Sequence, residues 1–494
     1  MKQSTTILLV IGIILLVNVL SQQFFARLDL TENKQYTLSN ATKDILRNLT
    51  EPVTIKAYWS DDLPTVMEKT KTDFREMLFE YNSISKGMVN YEFINPKDQT
   101  QEQEAYQSGV IPQQIQVRKD NELKLQNVFA GAVIQMGEQT DAIPFMAPGT
   151  PIEYPLSTSI KKLSVIDKPS IGLIQGHGEP GMQELQQVVQ TLSILYNVEN
   201  VDLSGDIDIP VRIKTVALVN PQDSIPPAHF AKLDQFLGRG GNMFISMNRV
   251  KGDLQTAQGT EFTTGLETWL QGKGLDIEPS FVVDAASGSV TVQQQQGFFR
   301  VANQVRFPYF PLVSSFPDHP VTKGLEAVMF PFASVLRHNG NEISTFTALA
   351  TTSDQAGTQT PPIYFDINKQ WTPGDFPLSN LDIGGVLEGN FVNNVPARIV
   401  VFSSGQFPLA GGQGSDNQNL MINSIDWLSD DTGLIDLRTK GVTSRPIKQM
   451  ETAKQNTLKW LNFLLPIILV IGLGIFRSFR RNSIRIKRMQ ENYG

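Results

Sequence analysis

Residues 170–196 read SIGLIQGHGEPGMQELQQVVQTLSILY, and this stretch decides the fold. Ser170–Gln175 is a short apolar run closed by glycine, as a buried strand requires. From Met182 to Tyr196, Leu185, Val188, Val189, Leu192 and Leu195 share one helical face. The alternation then repeats, with strands at Val198–Leu203 and Thr215–Asn220, a helix at Ala228–Leu237 and a strand at Asn242–Ser246. Such a pattern implies a parallel sheet with right-handed crossovers, an α/β fold. Arg398–Ser403 and a helix at Asn417–Leu428 are expected to rejoin it, giving a domain over 169–435. Residues 251–395, richer in Gln, Gly and Pro, read as an insertion whose Gln293–Gln296 run forms a loop.

Working towards the N-terminus, 146–168 reads as a linker helix with Leu156, Ile160 and Leu163 on one face. A first domain spans 51–145, with strands Val53–Trp59 and Met88–Ile94 around a helix at Thr65–Tyr81. Hairpin strands follow at Ile115–Val117, Phe129–Met136 and Ala142–Phe145. This order is compatible with a thioredoxin-like layer, but no C-x-x-C is present to give it redox chemistry. Residues 26–50 read as a juxtamembrane stalk containing a helix at Asn40–Leu49 with Ser39 as N-cap.

Two apolar segments flank these domains. Residues 6–25 are long enough to cross a bilayer, and the weak basic start with no A-x-A-like site favours an anchor over a cleaved signal. Residues 458–478, after a second stalk at 436–457, form the other span. It is followed by Arg477, Arg480, Arg481, Arg485, Lys487 and Arg488, and such a cluster marks the cytoplasmic side. Residues 1–5 and 479–494 are then cytoplasmic, with everything between the spans on the periplasmic face of the inner membrane. The formal net charge of -7 argues against nucleic acid, and the absence of cysteine excludes disulfides, thiolate metal sites and a cysteine nucleophile.

Gly176-His177-Gly178-Glu179 with Gly181 satisfies G-x-G-x-x-G, the dinucleotide fingerprint. Glu179 sets a negative charge where a pyrophosphate belongs, and Pro180 removes an N–H donor. A tight strand-to-helix turn and a binding loop for a small ligand or partner both remain open. His229, His319 and His338 are scattered and read as chance placements. No catalytic constellation, metal site or cofactor site emerges. Pro308-Tyr-Phe-Pro311 reads as a packed edge or a recognition surface.

The chain resembles the GldG family, the auxiliary component of a gliding-motility-associated ABC transporter. The likeness rests on Arg27-Leu-Asp29-Leu-Thr, Tyr36-Thr-Leu-Ser39, Glu153-Tyr154, Gly176-His-Gly-Glu179, Gly240-Gly241, Arg398-Ile-Val-Val-Phe402 and Asn423-Ser-Ile-Asp-Trp-Leu428. It implies a permease and a cytoplasmic ATPase as partners; the two spans add membrane lipid, and the outer domain is expected to bind substrate, an envelope partner or a second copy of the chain as a homodimer. It also implies a flavodoxin- or glutamine-amidotransferase-like outer domain, here without the nucleophile, and the lack of catalytic groups points to a non-enzymatic role. Rival readings are an anchored hydrolase or sugar-binding protein using the Gly176 loop, and a structural envelope tether.

Overall fold

The computed structural model describes residues 37–61, 63–119, 122–164, 168–205, 207–296, 299–410, 415–429 and 452–491. The predicted span at 6–25, the motif residues Arg27, Asp29 and Tyr36, and most of the second stalk lie outside the described residues. The chain forms two compact units, Met1–Thr443 and Ser444–Gly494.

The first unit opens on α1 (Asn40–Arg47). Its N-cap is Ser39, as expected, with the Ser39 hydroxyl accepting from the Thr42 N–H at 3.1 Å. This segment is not a free stalk. Leu38, Ala41, Ile45 and Leu46 are buried in the core of the first domain, under α2 (Thr65–Ile84) and α4 (Glu153–Ser164). The predicted linker helix is likewise core, because Leu156, Ile160 and Leu163 of α4 pack into the same cluster.

The strands of this domain are β1 (Val53–Trp59), β2 (Val89–Ile94), β3 (Gln113–Lys119), β4 (Glu122–Val128), β5 (Ala130–Met136) and β6 (Gln139–Ile143). Four form a sheet in the order β2-β1-β5-β6, with β1 and β2 parallel and the other pairings antiparallel. β3 and β4 make a separate two-stranded ribbon. A helix absent from the sequence reading, α3 (Gln99–Gln107), buries only Ala105, so it carries no apolar stripe to announce it.

One buried polar network ties α1 to this core. The Glu153 carboxylate accepts from the Ser39 N–H and the Thr42 hydroxyl, both at 2.7 Å. Thr42 and Tyr81 in turn bond Ser157 at 2.8 and 2.6 Å. Burial, followed by the neighbouring Glu153 charge, pushes the Tyr81 hydroxyl far above its ordinary pKa, so it remains a donor.

The second domain begins with β7 (Ser170–Gln175), α5 (Gln186–Leu192), β8 (Asn197–Asp202), β9 (Ile213–Val219), α6 (Pro227–Leu237) and β10 (Asn242–Ser246). α5 is shorter than the predicted Met182–Tyr196, because both flanks are turns. Next come β11 (Val250–Asp253), β12 (Gln258–Glu261), α7 (Leu266–Gly272), β13 (Leu275–Ile277), β14 (Phe281–Asp284), β15 (Ser287–Gln296), β16 (Phe299–Val313) and β17 (Val328–Met329). The chain closes with β18 (Leu336–His338), β19 (Ser344–Thr351), β20 (Ala356–Gln359), β21 (Ile363–Tyr364), β22 (Asp382–Val392), β23 (Val395–Phe402) and α8 (Asp416–Ser429).

The central sheet has seven strands in the order β19-β22-β23-β10-β9-β7-β8. From β23 to β8 all neighbours are parallel, and β22 and β19 continue antiparallel. Alternate residues show that both faces are covered. Ile171, Leu173, Ala217, Phe244 and Phe402 pack under α5 and α8. Ile174, Val216, Leu218, Met243 and Val401 pack under α6 and α7.

The region 251–395 is not a detached insertion, since it supplies β19, β22 and buried Val282, Phe330 and Val335 to the main core. Gln293–Gln296 lies in β15 and pairs with β16, so the predicted loop is a strand. Tyr309 and Phe310 are buried among Phe281, Phe332 and Phe365, which settles the aromatic segment as packed core.

The second unit is α9 (Thr452–Glu491), of 40 residues with Pro466 inside. Its stretch Asn456–Ser483 is long and apolar enough to cross a membrane, and it contains the second predicted span.

Removing the Glu153 carboxylate strands the buried Ser39 N–H and leaves the Thr42 hydroxyl only Ser157 to donate to. Glu153→Ala is therefore expected to destabilise the first domain by about 1–3 kcal/mol. Glu153→Gln, which keeps one carbonyl acceptor, is expected to cost less. Thermal unfolding of the full chain in detergent checks the ranking.

Candidate functional site

The carboxyl ends of β7, β9, β10 and β23 lie side by side, so the loops after them converge. The strand order reverses between β7 and β9, because β8 lies on one side of β7 and β9 to β23 extend on the other. Loops at such a switch point leave a crevice that helices do not fill.

The loop after β7 carries the predicted residues Gly176, His177, Gly178 and Glu179. Gly176 and Gly178 have φ of 118° and 76°, a region in which side chains are strained. A Cβ on Gly178 would also lie 3.0 Å from the Gln222 Cβ. These two glycines fold the loop back, and the His177 carbonyl accepts from the N–H groups of Gln222 and Asp223 at 2.8 and 2.9 Å.

His177 is 1% exposed and Glu179 9%. Glu179 Oε2 accepts from the His177 backbone N–H at 2.7 Å, and Oε1 lies 2.8 Å from His177 Nδ1. The Gly181 N–H donates to Glu184 at 2.9 Å. Two of the loop N–H groups are thus taken by the chain's own carboxylates. A phosphate would have to displace an anion to reach them, which supports setting aside the dinucleotide reading.

His229, read from sequence as a chance placement, belongs to this site. It sits in the first turn of α6 with its Nδ1 2.7 Å from His177 Nε2. The rings meet edge to face, their centroids 5.0 Å apart. The missing signal was the strand order: once β7 and β9 are neighbours, the loop after one faces the helix after the other. His319 packs instead against Trp427, and His338 lies 3.4 Å from the Ser344 hydroxyl.

Further along the edge, Asn220 adopts φ of 47° at the end of β9. Its side-chain oxygen accepts from Gln222 and Asn248 at 2.9 and 3.0 Å, and Asn248 accepts from the Gly405 N–H at 2.9 Å. Backbone strain of this kind concentrates at binding sites. Asp202, at the end of β8, is held below its ordinary pKa mainly by the Ser204 hydroxyl and N–H. Burial, then the neighbouring charges of His177 and Lys232, lowers the pKa of His229, and Asp202 and Glu179 oppose this only in part. Ser39, the remaining predicted site residue within the described residues, lies in the first domain and takes no part in this crevice.

Lowered histidine pKa values set the sign of an acid effect. The unfolded chain binds protons at His229 near its ordinary value of 6.5 before the folded chain does. Stability contributed there is complete above that pH and declines as pH falls towards the folded value. The half-buried His319 acts in the same direction, again mainly through burial. The melting temperature is expected to be lower at pH 5.5 than at 7.5, and His229→Gln is expected to flatten that slope. Thermal melts of both proteins across this range check it.

Residues 168–457 match a family described as an ABC-type uncharacterized transport system (ABC_transp_aux). Residues 32–135 match a domain of unknown function (DUF7088). An uncharacterized protein from Borreliella burgdorferi is 20% identical over 366 residues, covering 72% of this chain and 68% of its own length. Among solved structures, the mmIFT52 N-terminal domain shares 16% identity, with 53% of this chain and 97% of that one covered and a TM-score of 0.34. A ThuA-like protein from Parabacteroides merdae shares 16%, covering 58% and 95%, with a TM-score of 0.27. Scores of that size carry no argument about the fold. The first match spans more than half of the chain, including the central sheet and the Gly176 loop, and the chain therefore belongs to the auxiliary family of ABC-type transport systems.

Proposed function

We propose that the chain is a membrane-anchored accessory subunit that works beside a polytopic permease and a cytoplasmic ATPase. The observation that carries this reading is α9. Its stretch Asn456–Ser483 is long and apolar enough to cross a membrane, and Arg477, Arg480 and Arg481 stand in the C-terminal part of that stretch, where the positive-inside rule puts the cytoplasm. With the predicted span at 6–25, both termini are cytoplasmic and both folded domains are periplasmic.

The domains are read as thioredoxin-like and flavodoxin- or glutamine-amidotransferase-like. The support is β2-β1-β5-β6 with β5 antiparallel in the first, and β8-β7-β9-β10-β23 all parallel in the second. With no cysteine in the chain, neither thiol redox chemistry nor amidotransferase chemistry comes with these likenesses. The role is non-enzymatic, with the crevice at the carboxyl edge binding a ligand or an envelope partner. Gliding motility rests on the GldG likeness alone, and a homodimer is one of the occupants open to the outer domain.

Within the second domain, the chain enters and leaves at the edge opposite this crevice. Ser170 begins β7, and the Leu428 carbonyl near the end of α8 accepts from Thr215 and Asn242 at the amino ends of β9 and β10.

Purification of the full chain in mild detergent, with co-purifying chains identified by mass spectrometry, tests the proposal. A permease and an ATPase in fixed ratio are expected. Recovery of the chain alone, or only with envelope polymers, would count against it and favour a tether.

A further inference from the structure

Glu179 Oε2 accepts from the His177 backbone N–H, which cannot reverse its role, and Oε1 lies 2.8 Å from His177 Nδ1, where an ionised carboxylate can only accept. The carboxylate therefore calls for a proton on His177 Nδ1, and neutral His177 carries its lone pair on Nε2. That lone pair faces His229 Nδ1, which must be the donor. The lone pair of His229 is then on Nε2, which has no hydrogen-bond partner among the described residues. The relay starts at a buried carboxylate and ends at an unpartnered nitrogen on a half-buried ring.

We propose that His229 Nε2 is the recognition point of the carboxyl-edge crevice, held as an acceptor by Glu179 through His177, and that it takes a hydrogen-bond-donating group of the ligand. Oxyanions are disfavoured. Asp202 is exposed beside Gly176, and Asp223 is exposed beside Gly178. The nearby Lys232 ammonium is occupied by the carbonyls of Leu203, Gly205 and Ile207. The ligand class is thus one that presents a hydroxyl or an amine rather than a phosphate or carboxylate.

The same geometry accommodates one proton without moving a heavy atom. A proton from the donor group enters at His229 Nε2, and the donor keeps the bonding electron pair. The proton on His229 Nδ1 crosses to His177 Nε2, and the imidazolium formed there lies against Glu179. A second proton would set two N–H donors face to face at 2.7 Å. The titratable and charged groups around His229 are Glu179 and His177 on the loop, Asp202 after β8 and Lys232 on α6. Burial, the charge of His177 and Lys232 all oppose that second proton.

This inference rests on the crevice being a ligand site, and its test reads protonation directly, so it can fail or hold whatever partners co-purify. Diethyl pyrocarbonate acylates accessible imidazole nitrogens that carry no proton. On the full chain in detergent at neutral pH, mass spectrometry is expected to find His229 modified and His177 untouched. Glu179→Gln is expected to lower modification of His229 about tenfold. The fixed His177 N–H draws the amide oxygen to itself and turns the amide NH2 towards Nδ1. His177 then holds its proton on Nε2 and donates to His229 Nδ1, so His229 must carry a proton on Nε2.

A role based on exposure alone would leave the modification unchanged. That result, modification of His177 in the unaltered protein, or protection of His229 by added inorganic phosphate would each overturn the proposal. Histidine-selective 15N spectra of the unaltered protein give a reading that does not depend on the variant folding. A protonated Nδ1 with a bare Nε2 on His229 supports the relay, and the opposite tautomer sinks it.

Discussion

The second domain depends on a parallel sheet being covered on both faces. A parallel strand buried on either side cannot alternate apolar with polar residues, and it reads as an unbroken apolar run. Ile171 to Ile174, Val216 to Val219, Met243 to Ile245 and Ile399 to Phe402 are such runs, and successive residues in each go to opposite cores. With both faces closed, the ends of the strands are where polar groups can gather. At the carboxyl ends they do so next to the point where the strand order reverses. The position of the crevice therefore follows from the same pattern that dictates the sheet, before any functional residue is considered.

Two buried carboxylates show how local chemistry then diverges. Glu153 and Glu179 face the same desolvation problem, and each accepts a backbone N–H together with one side-chain donor. At Glu153 that side chain is the Thr42 hydroxyl, and the network closes on Ser157 and Tyr81. Hydroxyls neither store nor release a proton near neutral pH, so the result is a fastening between α1 and α4. At Glu179 the side-chain donor is an imidazole, which has a second nitrogen, and that nitrogen meets another imidazole. One arrangement of acceptors holds two helices together, and the other leads from the interior to an open lone pair.

The central sheet was legible because period and composition agreed along short segments. Ser170–Gln175 and Asn242–Ser246 have the predicted bounds, and Ser39 is the N-cap its sequence announces. What was missed depended on distant partners. Gln293–Gln296 has no intrinsic preference for a strand and becomes one only by pairing with β16. α1 reads as a stalk until α2 and α4 cover its apolar face. His229 lies 52 residues from His177, and nothing local links them. Half of the site, the Gly176–Glu179 loop, was written in one motif. The other half required knowing that β7 and β9 are neighbours.

That division bears on how an accessory subunit of this kind can work. The loop that forms one wall of the crevice is held by two glycines with positive φ and by hydrogen bonds from Gln222 and Asp223 to the His177 carbonyl. The opposite wall is the first turn of α6. The two are joined by the His177–His229 bond as well as by these backbone contacts. A shift of α6 against the sheet would lengthen that 2.7 Å contact first, because an imidazole pair tolerates little misalignment. Conversely, a ligand that donates to His229 Nε2 would make the Nδ1–H a stronger donor to His177 and favour the joined arrangement.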